Sequence, residues 1–114
     1  NIMLQKDSTT FDHFSEMDLR VATITACVPM KKTKKLLELT VDTGLDVRTV
    51  VSGIAEYFSP EDVIGRKVVL LANLEPRKIM GVESYGMVLM ASTNDGGLRF
   101  ITPEEGVNPG DVIR

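Results

Sequence analysis

The chain has 114 residues, of which 43% are hydrophobic, and a formal net charge of −3. This length fits one domain, and the hydrophobic content is sufficient for a buried core, which excludes a disordered chain. No apolar run approaches the roughly 20 residues of a membrane span, and the start lacks the apolar centre of a signal peptide. Cys27 is the single cysteine, which excludes an internal disulfide and is typical of a reducing compartment. We therefore expect a cytoplasmic protein with no membrane partner.

The first predicted elements are a short helix over residues 10–17, with Thr10 as its N-cap, and a long strand over residues 19–28. Apolar residues alternate along this strand, but the alternation slips by one residue after Val21. After the slip, the alternating apolar residues are Ala22, Ile24, Ala26 and Val28, and Cys27 among them is interpreted as an inert core thiol. A slip of this kind predicts a bulge or bend, by which a long strand can curl around a barrel.

A basic segment separates this strand from the next. Residues 31–35 read Lys-Lys-Thr-Lys-Lys, and we call them the basic turn. Charge runs are often only solvated turns, so the role of this one depends on what lies beside it. Clean alternation over residues 37–42 predicts a half-buried strand, which a turn at residues 42–46 connects to a returning strand over residues 47–52.

The second half of the chain continues as short strands. Ser59 and Pro60 start a brief helix, since serine is a suitable cap and proline suits the first helical position. A hairpin turn is predicted at residues 94–97. Strands are predicted at residues 67–72, 85–91, 98–101 and 112–114. About five main strands with a small helix between the third and the fourth predict an all-β fold, in the form of a small barrel.

The segment of residues 72–90 carries the most specific pattern. A strand ends at Asn73, Arg77 and Lys78 follow side by side, and Gly81 and Gly86 bracket Ser84. Polar donors and two cations thus lie on a loop held between two apolar strands. Binding residues concentrate on loops of this kind, because a rigid scaffold holds them in place.

Together with residues 18–22, 35–39, 51–54 and 64–67, this segment resembles the tRNA-binding domain found at the C-terminus of many methionyl-tRNA synthetases. The same domain occurs in stand-alone tRNA-binding proteins and in CsaA-type chaperones. The resemblance covers about residues 11–113. It implies an OB-fold, a five-stranded barrel with short helices and a C-terminal extension, over residues 11–114. Residues 1–10 are interpreted as a flexible or expression-derived N-terminus.

The resemblance implies a non-catalytic domain that binds tRNA by shape and phosphate contacts, appended to and dimerising a methionine–tRNA ligase. It is implied to need no cofactor, and the single histidine, His13, cannot form a histidine-based triad or a two-histidine metal site within one chain. The alternatives are a stand-alone CsaA-like chaperone or peptide-binding dimer with the same fold, and an assembly module without RNA binding. Continuous positive potential would favour RNA, whereas an exposed apolar groove would favour the chaperone.

The candidate tRNA-binding residues divide by role. The predicted phosphate contacts are Lys31, Lys32, Lys34, Lys35, Arg77 and Lys78. Asn73 and Ser84 either donate hydrogen bonds to the RNA or stabilise the loop, as a strand cap and a turn-closing residue. Arg48 and Ser52 on the third strand are further candidates. Where the family often has an acidic residue, position 34 is a lysine, so this basic turn is more cationic than usual.

Aromatic residues are few, with no Trp, four Phe and two Tyr. Single-stranded nucleic acids are usually bound by stacking on exposed aromatics, so a folded RNA is the expected ligand. Tyr85 could either stack on a base or cover the end of the barrel. Packing is the prediction for Phe11, Phe14, Tyr57, Phe58 and Phe100, and core filling for Met87 and Met90. A homodimer is expected, with the N-terminal helix and residues 101–113 near the interface.

Overall fold

The structure is a computed structural model that describes residues 5–114. In chain order its elements are α1 (Phe11–Ser15), β1 (Leu19–Pro29), β2 (Leu37–Asp42), β3 (Val47–Ser52), α2 (Pro60–Val63), β4 (Lys67–Leu71), β5 (Arg77–Ile79), β6 (Val82–Ser84), β7 (Met87–Val88), β8 (Met90–Ser92), β9 (Leu98–Phe100) and β10 (Val112–Ile113). The segment expected to be flexible falls partly on residues 1–4, which lie outside the described residues. Residues 5–10 are exposed and form neither helix nor strand.

The main sheet curls into a barrel with the strand order β3-β2-β1-β4-β7. The long strand β1 pairs antiparallel with β2, β4 and β10, and thus connects the two halves of the sheet. The barrel closes where the Tyr85 backbone N–H donates to the Thr49 carbonyl at 2.9 Å. This all-β arrangement, with helix α2 between β3 and β4, confirms the predicted OB-fold.

The core forms where strand alternation turns one face inward. Strand β2 alternates as predicted, with Leu37, Leu39 and Val41 buried and the residues between them half-buried. Further fully buried side chains come from β1, β3, α2, β4 and the connection between β3 and α2, namely Ile24, Val50, Ile54, Val63, Val68 and Leu70. Burial of each large apolar side chain stabilises the fold by about 1.5–3 kcal/mol, so the barrel interior supplies the main driving force for folding.

The predicted bulge in β1 exists, but it lies further along the strand. The register with β2 shifts between Ile24 and Ala26, which leaves Thr25 as the extra residue. Beyond this point the inward phase falls on Cys27, which is buried as expected, whereas Ala26 and Val28 are exposed. At Val21 the slip reflects the burial of two successive residues, Val21 and Ala22. The C-terminal segment lies against Val21, since the Val21 N–H donates to the Asp111 carbonyl and the Val21 carbonyl accepts from the Gly110 N–H.

The expected loop after β4 is a hairpin, and this corrects the placement of Arg77 and Lys78. Strands β5 and β6 pair antiparallel, with Arg77 opposite Ser84. Their connection, Met80-Gly81, has positive φ at both residues, 50° and 84°. This is the backbone twist that matches two-residue hairpins, and glycine adopts it without a steric penalty.

The strand predicted over residues 85–91 is also divided. β7 pairs with β4, whereas β8 pairs with β9, and Leu89 separates them. Val88 takes the inward position, so Met87 is 44% exposed and the prediction that it fills the core was wrong. Met90 packs against the core as expected.

Helix starts and turns follow the predictions more closely. The Thr10 hydroxyl accepts a hydrogen bond from the His13 backbone N–H and caps α1. Ser59 takes the N-cap position of α2, but its hydroxyl donates to the Asp62 carboxylate instead of accepting from a backbone N–H. The turn at residues 94–97 joins β8 to β9 as predicted.

Candidate nucleic-acid interface

The basic turn presents its lysines to solvent. The Met30 N–H donates to the Leu36 carbonyl at 3.1 Å and closes the turn at its base. Inside it, the Lys35 N–H donates to the Thr33 hydroxyl at 3.1 Å. The exposed side chains are those of Lys31, Lys32, Lys34 and Lys35. A short, internally hydrogen-bonded turn therefore holds four ammonium groups outside the barrel.

The hairpin of residues 77–84, which we call the binding hairpin, carries the other two predicted phosphate contacts. Arg77 and Lys78 are exposed on β5. Ser84 on the paired strand is only 5% exposed, and its hydroxyl accepts a hydrogen bond from the Val51 N–H on β3. The hairpin is thus anchored to the barrel at its base while its cations remain exposed to solvent.

A groove of about 310 Å³ lies between the basic turn and the tip of the binding hairpin. We call it the turn–hairpin groove, and it is lined by Val28, Lys31, Lys32, Glu38, Met80 and Val82 among others. The basic turn and the tip of the binding hairpin, which are far apart in the sequence, therefore meet at this groove, whereas Arg77 lines a separate cavity with Ser84 and Met87. Sequence reasoning missed Glu38 and Val28 as groove residues. The alternation of β2 already placed Glu38 on the outer face, whereas the exposure of Val28 depends on the bulge in β1.

In the part of the chain that the structure describes, no ion pair neutralises the cations of the basic turn or of the binding hairpin. Within residues 5–114 the ion pairs are Asp18–Arg20 at 2.8 Å and Asp46–Arg48 at 2.9 Å. Neither pair includes a residue of the basic turn or of the binding hairpin. Because exposed, unpaired lysines and arginines provide the electrostatic attraction for phosphates, this surface can bind a polyanion despite the negative net charge.

Asn73 and Ser84 use their hydrogen bonds within the chain. The Asn73 amide oxygen accepts from the Asp18 N–H at 2.8 Å, and its nitrogen donates to the Glu16 carbonyl at 2.7 Å. The Ser84 hydroxyl also donates to the Gly86 carbonyl at 3.2 Å. The structure therefore gives both residues the local, loop-stabilising contacts that the sequence left open as an alternative.

Arg48 is similarly engaged. Its Nε and Nη2 atoms donate to the two carboxylate oxygens of Asp46, at 3.0 and 2.9 Å. Its Nη1 atom donates to the carbonyls of Ala72 and Tyr85, at 2.8 and 3.0 Å. Hydrogen bonds from Arg48 and then Thr43 lower the pKa of Asp46. Arg48 thus joins β3 to the end of β4 and to the residue after the binding hairpin. Ser52, the remaining candidate, is half-buried and lies opposite Leu37.

The aromatic residues separate into packed and exposed groups. Phe58 and Phe100 pack with ring centroids 4.9 Å apart, and the Arg66 guanidinium lies over both rings. The packing prediction was wrong for Phe11 and Tyr57, which are 78% and 51% exposed, and Phe14 is 41% exposed. Tyr85 is 43% exposed and lines a shallow cavity with Arg48, apart from the turn–hairpin groove.

Residues 5–114 provide little evidence for a metal site, a membrane span or a reactive cysteine. This part of the chain contains no cluster of three or more His, Cys, Asp or Glu side chains able to hold a metal ion. None of its helices is long and apolar enough to cross a membrane. Cys27 is buried, and burial raises the pKa of its thiol, which keeps it protonated and unreactive at neutral pH.

An OB barrel with an unpaired basic surface belongs to the nucleic-acid-binding class of domains. Residues 19–112 match the family described as "Putative tRNA binding domain", and the chain belongs to this family. It is 57% identical to methionine–tRNA ligases from Cytophaga hutchinsonii and Christiangramia forsetii over 108 and 110 residues, 95% and 96% of the chain. The chain spans only 16% of the length of each of these relatives.

Two solved structures extend the comparison. A protein related to methionyl-tRNA synthetase from Pyrococcus horikoshii shares 37% identity with a TM-score of 0.90, covering 96% of this chain and 100% of that one. A CsaA chaperone protein from Picrophilus torridus shares 28% identity with a TM-score of 0.85, covering 94% of this chain and 100% of that one. Both confirm the barrel fold over nearly the whole chain.

Proposed function

We propose that the chain is a non-catalytic tRNA-binding domain appended to the C-terminus of a cytoplasmic methionine–tRNA ligase. The observation that carries the proposal is that the basic turn adjoins the tip of the binding hairpin, on a chain of net charge −3. Both segments carry exposed cations that take no part in the ion pairs of residues 5–114. The exposed Val28 and Met80 of the turn–hairpin groove are the kind of feature that would favour a CsaA-like chaperone. The ligase relatives, at 57% identity, nevertheless support this parent more strongly than the CsaA structure at 28% identity supports a chaperone.

The domain binds through phosphates and RNA shape. Each phosphate that a lysine or arginine neutralises releases counterions, so affinity falls steeply as salt rises. Ammonium groups on flexible stems act as point charges and do not by themselves select a base sequence. The ligase's other domains then select the correct tRNA, and this barrel adds affinity by raising the effective concentration of tRNA.

We further propose that the domain forms a homodimer. Exposed apolar side chains, Phe11 on α1 and Ile101 and Val112 in the C-terminal segment, exceed what free ends require. Strand β10 pairs with the start of β1, which directly follows α1 in the chain, so the C-terminal segment lies beside the strand into which α1 leads. A two-fold contact there would double the basic surface available to one RNA. Sedimentation equilibrium at micromolar concentration should give the dimer mass, and a monomer mass alone would refute this assembly.

A gel-shift titration tests the proposed function. Several tRNAs with different anticodons should bind within a few-fold of one another and more tightly than an unstructured RNA of equal length. Equal binding of the unstructured RNA would exclude shape recognition. A hundredfold preference for one tRNA would instead require direct readout of bases.

A further inference from the structure

The turn–hairpin groove contains side chains that phosphate binding does not need. Val28 and Met80 line it and are 53% and 55% exposed, so an apolar surface faces solvent between the lysines. Glu38, a half-buried residue, adds a carboxylate to the same lining. A surface built only to attract phosphates would gain nothing from exposed apolar groups and would be weakened by an acid.

The backbone holds these side chains in place. Glu38 lies in the middle of the β1–β2–β3 ladder, opposite Val28 on one side and Val51 on the other. Met80 takes the first position of the two-residue turn of the binding hairpin, with φ of 50°. Val28 and Glu38 therefore project from the sheet and Met80 from a tight turn, and sites built on strands are more precise than sites on loops.

A single unpaired nucleotide matches this combination of groups. Its base has an apolar face for Val28 and Met80, and its phosphate can meet the ammonium groups of Lys31 and Lys32. The groove volume of about 310 Å³ lies at the lower end of the range for small-ligand sites. A carboxylate can only accept hydrogen bonds, and of the two pyrimidines only cytosine has a donor, its amino group, at position 4 of the ring, where Glu and Asp can accept from it. Uracil has a carbonyl oxygen at this position, which a carboxylate repels.

We propose that the turn–hairpin groove binds one unpaired nucleotide of the RNA and that Glu38 makes it prefer cytosine over uracil. This inference rests on the proposed RNA-binding function and adds a base-selective contact to it. The preference concerns one nucleotide, so it changes affinity among tRNAs by only a few-fold.

The direct test uses cytidine and uridine 5′-monophosphate as probes. Titrated into the ¹⁵N-labelled chain, cytidine monophosphate should shift the amide signals of Val28, Lys32, Glu38 and Val82. It should bind about fivefold more tightly than uridine monophosphate, the size expected of one solvent-accessible base-edge hydrogen bond. Glu38→Gln should bring the ratio to about one, because an amide can both donate and accept. Glu104→Gln, at an exposed acid in the C-terminal segment, should leave the ratio unchanged.

The outcomes separate this inference from the proposed function when tRNA binding is measured on the same samples. If tRNA binds but neither nucleotide shifts the groove signals, or if the ratio survives Glu38→Gln, the nucleotide site is refuted and RNA binding stands. If tRNA does not bind, the proposed function fails as well. If the groove responds to an unfolded protein such as reduced, carboxymethylated α-lactalbumin and not to RNA, the groove is a peptide site.

Discussion

Two adjoining groups of polar residues use their hydrogen bonds in different ways. Arg48, Asn73 and Ser84 direct theirs to the chain itself and hold strands and loops together. The basic turn and the binding hairpin leave their cations exposed and outside the ion pairs of residues 5–114. Residue type does not separate the groups, since each contains an arginine. Burial and hydrogen-bond partners separate a scaffold from a binding surface.

The largest effect should come from Gly86, the glycine two residues after Ser84. Gly86 has φ of 140°, and a Cβ there would lie 2.8 Å from the Leu71 carbonyl oxygen. Gly86→Ala should therefore lower the free energy of unfolding by about 3 kcal/mol, measured by urea denaturation. Gly81→Ala is the matched control, because its φ is 84° but its Cβ would meet nothing within 4 Å. It should cost about 1 kcal/mol, and equal losses would show that the close contact is unimportant.

Arg48 should behave as a positioning residue. Arg48→Ala removes four hydrogen bonds and should lower stability by about 2 kcal/mol. Arg48→Lys should restore little, because an ammonium cannot reproduce the planar fork. Binding to tRNA should weaken while the slope of log K against log salt stays unchanged. A slope that falls as it would for a lost phosphate contact would place Arg48 on the RNA instead.

Lys78 should give the opposite result. Lys78→Ala should leave stability within about 0.5 kcal/mol of the unsubstituted chain, because its side chain is exposed. The salt slope for tRNA binding should decrease by about 0.9, the value for one phosphate contact in a duplex. Lys6→Ala, also at an exposed lysine, should change neither quantity. Equal losses of tRNA affinity from both substitutions would mean that binding is diffuse.

The smallest effect concerns pH. Hydrogen bonds from Arg48 and Thr43 lower the pKa of Asp46 below its ordinary value of 3.8. A lowered folded-state pKa stabilises the fold above the unfolded pKa, and this contribution is lost as pH falls through the folded value. Asp46→Asn should therefore be less stable than the unsubstituted chain at pH 7, with the gap closing below about pH 4. Because Asp46 is half exposed, the gap should stay under about 1 kcal/mol. A gap that persists at pH 2 would contradict this account.

Local sequence patterns correctly predicted the elements that depend only on neighbouring residues. The strand β2 and the cap of α1 follow from residues that are neighbours in sequence, and both were confirmed. Predictions failed where pairing with a neighbouring strand decides which residues face the core. The bulge at Thr25 depends on the register with β2, and the exposure of Met87 depends on its pairing with β4.

The site follows the same division. The order of motifs and the clusters of lysine and arginine, which are local, were enough to indicate the OB barrel, the tRNA-binding family and the candidate cations. Only the tertiary structure brought the basic turn beside the binding hairpin and placed Glu38 between them. It also directed the hydrogen bonds of Arg48 and Asn73 to carbonyls distant in sequence. The physical reason is that a side chain's charge and hydrogen-bonding capacity are properties of the residue, whereas its partners depend on which segments the folded barrel brings within about 3 Å.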